Sequence, residues 1–246
     1  MGPVEVVLTD FERTLVRMFE DDGIEQRFAE EVLKNCAGRG VPEGVLKAAG
    51  GSPYSRWTRA HRWMLKHEQD RLATNRLYHA ITRIAIVYEM EAAKSVKLFD
   101  GVYPVLEQLQ FAGIPVVIVS NNATAAVELV LEKNDAKRLV DHVVGREFND
   151  KMIGILKPKP NLVVTALKRA GHDAGTALLV GDSVDDMRAG RKAKIRRRVA
   201  LLEHSTATKL QLRRAGAKRI LRTFGELPDL PELRRVLHNA DASAGR

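Results

Sequence analysis

An apolar segment near the start of the chain runs directly into two acidic side chains. Val4–Leu8 is typical of a strand covered on both faces, and Asp10 and Glu12 follow where that strand is predicted to end. In open parallel sheets, ligands bind at the carboxyl ends of the strands. Two acids separated by one residue also occur in solvated turns. The interpretation therefore depends on which other residues the chain brings to the same edge.

Further apolar strands alternate with helices in the second part of the chain. This alternation predicts βαβ units, and hence a parallel sheet with helices on both faces. We predict an α/β fold with a Rossmann-like parallel sheet core. The predicted strands after the first cover residues 114–119, 140–144, 177–180 and 199–202, and the helices among them cover 123–133 and 162–170.

The segment between the first strand and residue 97 has a different pattern of apolar residues. Apolar residues recur there at helical spacing, as in Ile24, Phe28 and Val32, and no convincing strand occurs. We predict about four helices that form a separate bundle. The expected organisation is a discontinuous core over 1–16 and 98–230, the bundle over 17–97, and a C-terminal helix or tail over 231–246, disordered from about residue 239.

Composition limits the class of protein. The chain has 246 residues, of which 45% are hydrophobic, enough for a substantial core. A single cysteine, Cys36, excludes an internal disulfide and a metal site made of cysteines alone. No apolar run reaches the roughly 20 residues of a membrane helix. The first strand leaves no room for a signal peptide, so we expect a cytoplasmic protein.

The net charge of +9 is concentrated in the second half of the chain. The segment from Arg188 to Arg198 contains seven basic residues and no acid. Such a run can attract nucleic acid or an acidic partner, but it also suits a solvated helix face followed by a strand edge. We favour the second interpretation, because no nucleic-acid module accompanies the run and only 5% of residues are aromatic.

Four polar clusters lie at or just past the ends of predicted elements. The four clusters are Asp10 with Glu12, Ser120 with Asn121, Lys157 in Lys157-Pro158-Lys159-Pro160, and Asp182 with Asp186 in Gly181-Asp182-Ser183-Val184-Asp185-Asp186. Together they resemble the haloacid dehalogenase superfamily, most of whose members are Mg²⁺-dependent phosphatases. The similarity is greatest to the phosphoglycolate-phosphatase-like branch, which has a helical cap inserted after the first strand.

The resemblance implies a role for each cluster. Asp10 would be the nucleophile that forms an aspartyl phosphate, and Glu12 would be the candidate general acid and base. Lys157 would neutralise charge on the phosphoryl group and on Asp10. Ser120 and Asn121 would bind the phosphate. The implied cofactor is Mg²⁺, held by Asp10, the backbone carbonyl of Glu12, Asp182 and Asp186, the last directly or through water.

Each residue taken singly also has an ordinary structural interpretation. Ser120 alone is typical of a helix N-cap, and Lys157 alone is typical of a surface lysine before a proline turn. Asp186 alone suits the first turn of a helix, where the helix dipole favours an acid. The joint occurrence of the clusters in order is what favours an active site.

Position 12 departs from the family pattern, because these phosphatases normally have Asp there and this chain has Glu12. Glu has a similar reference pKa, but its extra methylene places the carboxylate on the order of 1 Å further out. A misplacement of that size can cost roughly 10²-fold in rate. Three alternatives stay open: an active hydrolase adapted to Glu, a slow hydrolase or phosphotransferase, and a non-hydrolytic binding or regulatory protein.

Two further positions differ from relatives that have glycine. Arg13 follows Glu12, and we expect its side chain to face solvent, although it could pair with Glu12 or reach substrate. Lys194 stands near the end of the helix after Asp182. A glycine at either position would give the backbone more freedom.

The inserted bundle is expected to select the substrate. Arg56, Arg59 and Arg62 recur on one helical face, with Trp57 and His61 between them. If that face looks toward Asp10, the substrate carries a second anionic group or a flat ring. The alternative is a solvated face with tryptophans in the core. The expected partner is a small phosphorylated metabolite; phosphoglycolate, a sugar phosphate, a nucleotide and a biosynthetic intermediate all stay open.

Overall fold

The computed structural model describes residues 2–20, 22–47, 53–68, 70–148 and 155–244. Its centre is a six-stranded parallel sheet in the order β3-β2-β1-β4-β5-β6. The predicted α/β fold with a parallel sheet is confirmed. The strands are β1 (Val6–Thr9), β2 (Val116–Ala123), β3 (His142–Arg146), β4 (Ala177–Gly181), β5 (Arg197–Leu201) and β6 (Arg219–Leu221).

Helices pack on both faces of this sheet, as the alternating pattern predicts. Side chains alternate along β1, so Val7 faces one hydrophobic cluster while Val6 and Leu8 face the other. The helices are α1 (Asp22–Ala37), α2 (Glu43–Lys47), α3 (Pro53–His67), α4 (Arg71–Ala92), α5 (Val102–Phe111), α6 (Thr124–Lys133), α7 (Asn161–Ala170), α8 (Val184–Lys192), α9 (Lys209–Ala215) and α10 (Pro231–Ala244).

Strand β2 continues four residues beyond its predicted end at Val119. Its pairing with β3 shifts register, because Val119 pairs with Val144 whereas Ala123 pairs with Arg146. Four steps along β2 therefore match two along β3, which is an irregularity of the kind that re-aims residues beside functional sites. The short edge strand β6, flanked by basic residues, carries little pattern and is not among the predicted strands. The last helix continues to Ala244, although the sequence predicts disorder from about residue 239.

Between β1 and α5 the described residues form four helices, α1 to α4, which we call the cap. The two connections to the rest of the chain lie side by side. Val16 bridges both Glu12 and Leu98, and the Phe99 amide donates to the Leu15 carbonyl at 2.8 Å. The cap thus begins and ends within a few residues of the C-terminal end of β1. No helix among the described residues is long and apolar enough to cross a membrane.

Two arginines of the basic run are buried rather than solvated. Arg197 donates to the carbonyls of Gly175 and Gly2, and Arg198 donates to those of Gly216 and Ile195. The expectation that the run ends at a strand edge is wrong for these two side chains, because they belong to β5, which pairs with both β4 and β6. A buried guanidinium needs such acceptors, because an unpaired charge in the interior is costly. Their charges serve the fold and do not form a surface for nucleic acid.

Candidate active site

The centre of the sheet brings the predicted clusters to one edge. Asp10 follows β1 directly, Ser120 lies in the last half of β2, and Asp182 follows β4. Because β1 lies between β2 and β4, the ends of three adjacent parallel strands meet here. The Asp10 amide continues the ladder by donating to the Val180 carbonyl at 2.9 Å. The sheet therefore holds these residues on a rigid base.

Three carboxylates and one lysine form the buried centre of the site. One oxygen from each of Asp10, Asp182 and Asp186 lies within 4.8 Å of the others. The Lys157 Nζ lies 2.6 Å from an oxygen of Asp10 and 2.6 Å from an oxygen of Asp186. It also donates to the Val119 carbonyl at 2.8 Å. Three carboxylates against one ammonium leave a net excess of two negative charges when all are ionised.

The crowding of acids changes their proton affinities. Burial raises the pKa of Asp10 to about 7, the Asp186 charge adds to this, and Lys157 opposes it. Burial raises the pKa of Asp182 to about 9, with further increases from Asp186 and Asp10. Burial alone would lower the pKa of Lys157, but its two carboxylate partners outweigh this and raise it. Lys157 is therefore a permanent cation, and the raised pKa values of Asp10 and Asp182 reflect that one cation does not compensate three ionised carboxylates.

This donor set fits a hard divalent cation. Carboxylate oxygens are the ligands that such cations prefer, and two positive charges would cancel the excess. Asp186 is already engaged, since Ser183 donates to its second oxygen through both the amide, at 3.0 Å, and the hydroxyl, at 2.5 Å. These contacts make Asp186 part of the capping box of α8, as its alternative interpretation expects, and also part of the cluster. The cluster can therefore hold a metal ion, with Asp10 and Asp182 better placed for direct contact.

Ser120 and Asn121 lie at the irregular end of β2. Ser120 is buried, and its hydroxyl accepts from the Asn122 amide at 3.1 Å. Its alternative interpretation as an N-cap is wrong, because β2 runs on to Ala123, which is itself the N-cap of α6. The Asn121 side chain exchanges hydrogen bonds with the backbone of Lys157, at 2.9 and 3.2 Å. Asn121 therefore ties the lysine loop to β2 with its side chain.

Glu12 is held by the first residues of the cap connection. Its Oε2 accepts from the Met18 amide at 2.7 Å, and the Arg13 Nε lies 3.9 Å from its Oε1. Burial raises the pKa of Glu12 to about 7, although the Met18 amide opposes the rise. A carboxyl with that pKa can hold or release a proton near neutral pH, as a general acid and base must. The longer side chain of Glu12 reaches an anchor in the cap connection.

The two positions that lack the expected glycine both adopt left-handed backbone conformations. Arg13 has φ 59° and Lys194 has φ 64°. Side chains other than Gly and Asn are uncommon in this region, so both positions carry modest strain. The Arg13 side chain is 37% exposed and pairs with Glu12, so the expectation that it faces solvent describes it only in part.

A cavity of about 550 Å³ opens between the acidic centre and the cap. Of the three predicted arginines, Arg62 lines it, whereas Arg59 is exposed elsewhere and Arg56 donates to the Ala29 carbonyl at 2.8 Å. The Nε2 of His61, on the cavity wall, has no hydrogen-bond partner among the described residues. The wall also includes Trp57 and residues that are not among those predicted for the site: Tyr54, Thr58, Tyr78, Leu156, Lys159, Lys192 and Thr206.

Signals for some of these residues are present in the sequence. Lys159 stands two residues after Lys157 in the proline-rich motif, and Lys192 belongs to the basic run. Trp57 is buried at 5% exposure, so its alternative interpretation as a core tryptophan describes it better than a platform for a flat ring. The buried acids Asp10 and Asp182 lie at the floor of the cavity, and the exposed basic residues Arg62, Lys159 and Lys192 form what we call its outer wall.

Comparison with known proteins agrees with this geometry. The haloacid dehalogenase-like hydrolase family matches residues 7–194. A D-glycero-beta-D-manno-heptose-1,7-bisphosphate 7-phosphatase from Pasteurella multocida (strain Pm70) is 28% identical over 157 residues, covering 56% of this chain and 83% of that protein. A phosphoglycolate phosphatase from Caulobacter vibrioides is 28% identical over 153 residues, covering 60% of each chain. These relatives are named as phosphatases.

The solved structure of CbbY from Rhodobacter sphaeroides, in complex with phosphate, has the same fold. It superposes with a TM-score of 0.62 at 20% identity, covering 94% of this chain and 99% of that one. The sequence match spans most of the chain, and the fold agrees with it. The chain therefore belongs to the haloacid dehalogenase-like hydrolase family.

Proposed function

We propose that this protein hydrolyses a small phosphate monoester with Mg²⁺, through an aspartyl-phosphate intermediate on Asp10. The observation that carries the proposal is the buried contact of Lys157 with Asp10, beside Asp182, at the meeting of three strand ends. A nucleophile there is fixed by the sheet, and a cation sits beside it. Phosphoryl transfer depends mainly on such positioning and on compensation of charge.

The proposed hydrolysis has two steps. In the first, a carboxylate oxygen of Asp10 attacks phosphorus, the ester bond breaks, and Glu12 donates a proton to the leaving oxygen. In the second, Glu12 takes a proton from water, which attacks phosphorus and releases Asp10 and inorganic phosphate. Ser120 and nearby backbone amides donate to the phosphoryl oxygens, and Lys157 offsets their charge.

Mg²⁺ would be held by Asp10, Asp182 and the backbone carbonyl of Glu12, with Asp186 acting through water because Lys157 and Ser183 occupy its oxygens. When bound, the ion lowers the repulsion between the Asp10 carboxylate and an anionic phosphate.

Purified protein tests the proposal directly. Release of 4-nitrophenol from 4-nitrophenyl phosphate should require Mg²⁺ and should stop in EDTA. Persistence of the same rate in EDTA, or a complete lack of turnover with any phosphate monoester tried, would argue against it.

Metal removal should also change how stability depends on pH. In the unfolded chain, Asp10 and Asp182 have the ordinary pKa of 3.8, whereas folding raises these pKa values to about 7 and about 9. Between pH 3.8 and about pH 9 the folded protein binds more protons than the unfolded one. The contribution of these groups to the free energy of unfolding therefore falls as pH rises. In EDTA, Tm should fall from about pH 6 to about pH 9, and Mg²⁺ should raise Tm most at the alkaline end.

Asp182→Asn provides the matched control, because it removes one titrating carboxylate and one ligand. Its Tm in EDTA should vary less with pH, and Mg²⁺ should have less effect. Calorimetry in the two buffers measures both. A wild-type Tm that is insensitive to Mg²⁺ at every pH would contradict the proposed metal site.

The basic outer wall of the cavity favours a substrate with a second anionic group. Arg62, Lys159 and Lys192 line it beyond the acidic floor. The name of the Pasteurella multocida relative gives it a substrate with two phosphates, which is the same kind of ligand. We therefore extend the proposal to phosphate monoesters that carry a second phosphate or a carboxylate.

Arg62→Gln tests that extension. We expect about a tenfold rise in KM for a bisphosphate or phosphocarboxylate substrate, because a charge-assisted hydrogen bond is lost. KM for 4-nitrophenyl phosphate, which lacks the second anion, should stay the same. Arg59→Gln, on the same helix but outside the cavity, is the control. Equal effects of the two variants on the doubly anionic substrate would refute the assignment of Arg62.

A further inference from the structure

A fully buried ion pair joins the cap to the sheet behind the phosphate-binding strand end. Arg146, the last residue of β3, donates to Glu89 of cap helix α4 at 2.6 Å, and neither side chain has any exposed surface. Burying two charges is costly, and apolar residues of similar volume are often at least as stabilising. Stability alone therefore does not account for the pair.

The contacts of Glu89 lead to the end of β2. Its Oε2 accepts from the Ala123 amide at 2.8 Å. Its Oε1 accepts from the Tyr54 hydroxyl at 2.5 Å, and that hydroxyl in turn accepts from the Asn122 side chain at 3.1 Å. A carboxylate of the cap thus satisfies an amide of the strand end that carries Ser120.

Arg146 holds the same segment through a neighbouring peptide group. Its Nε donates to the Asn121 carbonyl at 3.1 Å, and its Nη1 donates to the Thr82 carbonyl of α4 at 3.2 Å. The guanidinium also lies 5.3 Å from the centroid of the Trp57 ring. The planar fork of one arginine therefore connects the strand end to two helices of the cap.

These contacts fix the direction of a peptide group beside Ser120. In a trans peptide the carbonyl and the following N–H point in opposite directions. Because the Asn121 carbonyl points to Arg146, the Asn122 amide points away from it, and it donates to the Ser120 hydroxyl at 3.1 Å. The ion pair therefore orients the peptide group between Asn121 and Asn122, whose N–H donates to the Ser120 hydroxyl at the cavity wall.

We propose that Arg146 and Glu89 are positioning residues, through which the docked cap orients the phosphate-binding segment from Ser120 to Ala123. This inference rests on the proposed function for its catalytic consequence, but its structural part can be measured without turnover. Neither residue touches the cavity, so both act through the backbone that they hold.

Hydrogen–deuterium exchange and kinetics on the full chain test the proposal together. Glu89→Gln keeps the shape and removes the charge. The amides of Asn122 and Ala123 should then exchange about tenfold faster, and kcat/KM should fall roughly 10- to 100-fold. Arg146→Lys keeps the charge but loses the fork, so it should give a smaller change in the same direction. Glu91→Gln is the matched control, because Glu91 lies on the same helix and pairs with Arg27 inside the cap at 2.6 Å.

Leu233→Ala separates positioning from a general loss of stability. Leu233 is fully buried in α10, away from the cavity, so this variant should lower Tm without changing exchange at residues 122 and 123 selectively. If Glu89→Gln matches Leu233→Ala in exchange and in KM, the pair is only structural and the inference is overturned. Wild-type protein without turnover would refute the proposed function, whereas the exchange comparison would still decide whether the pair orients the strand end.

Discussion

Asp10→Asn should abolish turnover while leaving the protein folded. We expect kcat/KM to fall on the order of 10⁵-fold or more, because an amide cannot form the acyl phosphate. Asn has nearly the same shape as Asp, so Lys157 and the sheet stay in place. Burial raises the pKa of Asp10, which means that its charged form is unfavourable in the metal-free fold. The variant should therefore be at least as stable as wild type in EDTA near pH 8.

Asp229→Asn is the control for this experiment, because Asp229 is exposed and pairs with Arg234 on the surface. Its turnover and Tm should equal those of wild type. Loss of activity accompanied by a large fall in Tm would point to misfolding of Asp10→Asn. Activity that survives in a well-folded Asp10→Asn protein would mean that the reaction does not use this nucleophile.

Replacement of Glu12 should have the second-largest effect. Glu12→Gln removes the transferable proton, and kcat should fall 10²- to 10⁴-fold, the usual range for general acid–base catalysis. Glu12→Asp retains the proton but shortens the side chain, which should lose the 2.7 Å contact with the Met18 amide. We expect roughly a 10²-fold loss for Asp, because the carboxylate is displaced by about 1 Å. Steady-state kinetics with 4-nitrophenyl phosphate measure both.

The same pair of variants separates the alternatives for position 12. A rate gain in Glu12→Asp would mean that the native site is a poor hydrolase, and it would favour the phosphotransferase or the binding protein. Glycerol as an acceptor distinguishes those two, since a phosphotransferase would form glycerol phosphate. We expect wild type to release inorganic phosphate and either variant to release less of it.

Much of the fold follows from local pattern. The strands that precede Asp10 and Asp182 are apolar runs buried on both faces. Such runs can be recognised in a sequence without knowledge of the fold. The end of β2 cannot be recognised in this way, because the polar residues Ser120 to Asn122 lie in a strand whose pairing with β3 shifts register. Register between distant strands is a property of the whole sheet, and a single sequence does not express it.

Some residues of the site can likewise be predicted from the sequence, whereas others require the fold. Motif order predicts Asp10, Lys157 and Asp182 as site residues, and the structure brings them together. Helical spacing places Arg56 and Arg62 on one face, but it cannot say which edge of that face meets the cavity. The spacing pattern places Glu89 on the apolar face of α4, four residues after Ala85 and eight after Ile81. An acid on such a face signals a buried partner, although the identity of Arg146 required the fold.

Passage of a phosphoryl group through Asp10 is the central claim, and trapping that intermediate tests it most directly. Protein mixed with radiolabelled phosphate monoester and Mg²⁺ would be quenched in acid within one turnover, digested, and the labelled peptide sequenced. We predict a base-labile label on the peptide that contains Asp10, absent in EDTA and absent in Asp10→Asn. Full turnover with no labelled protein, or with the label on another residue, would contradict it.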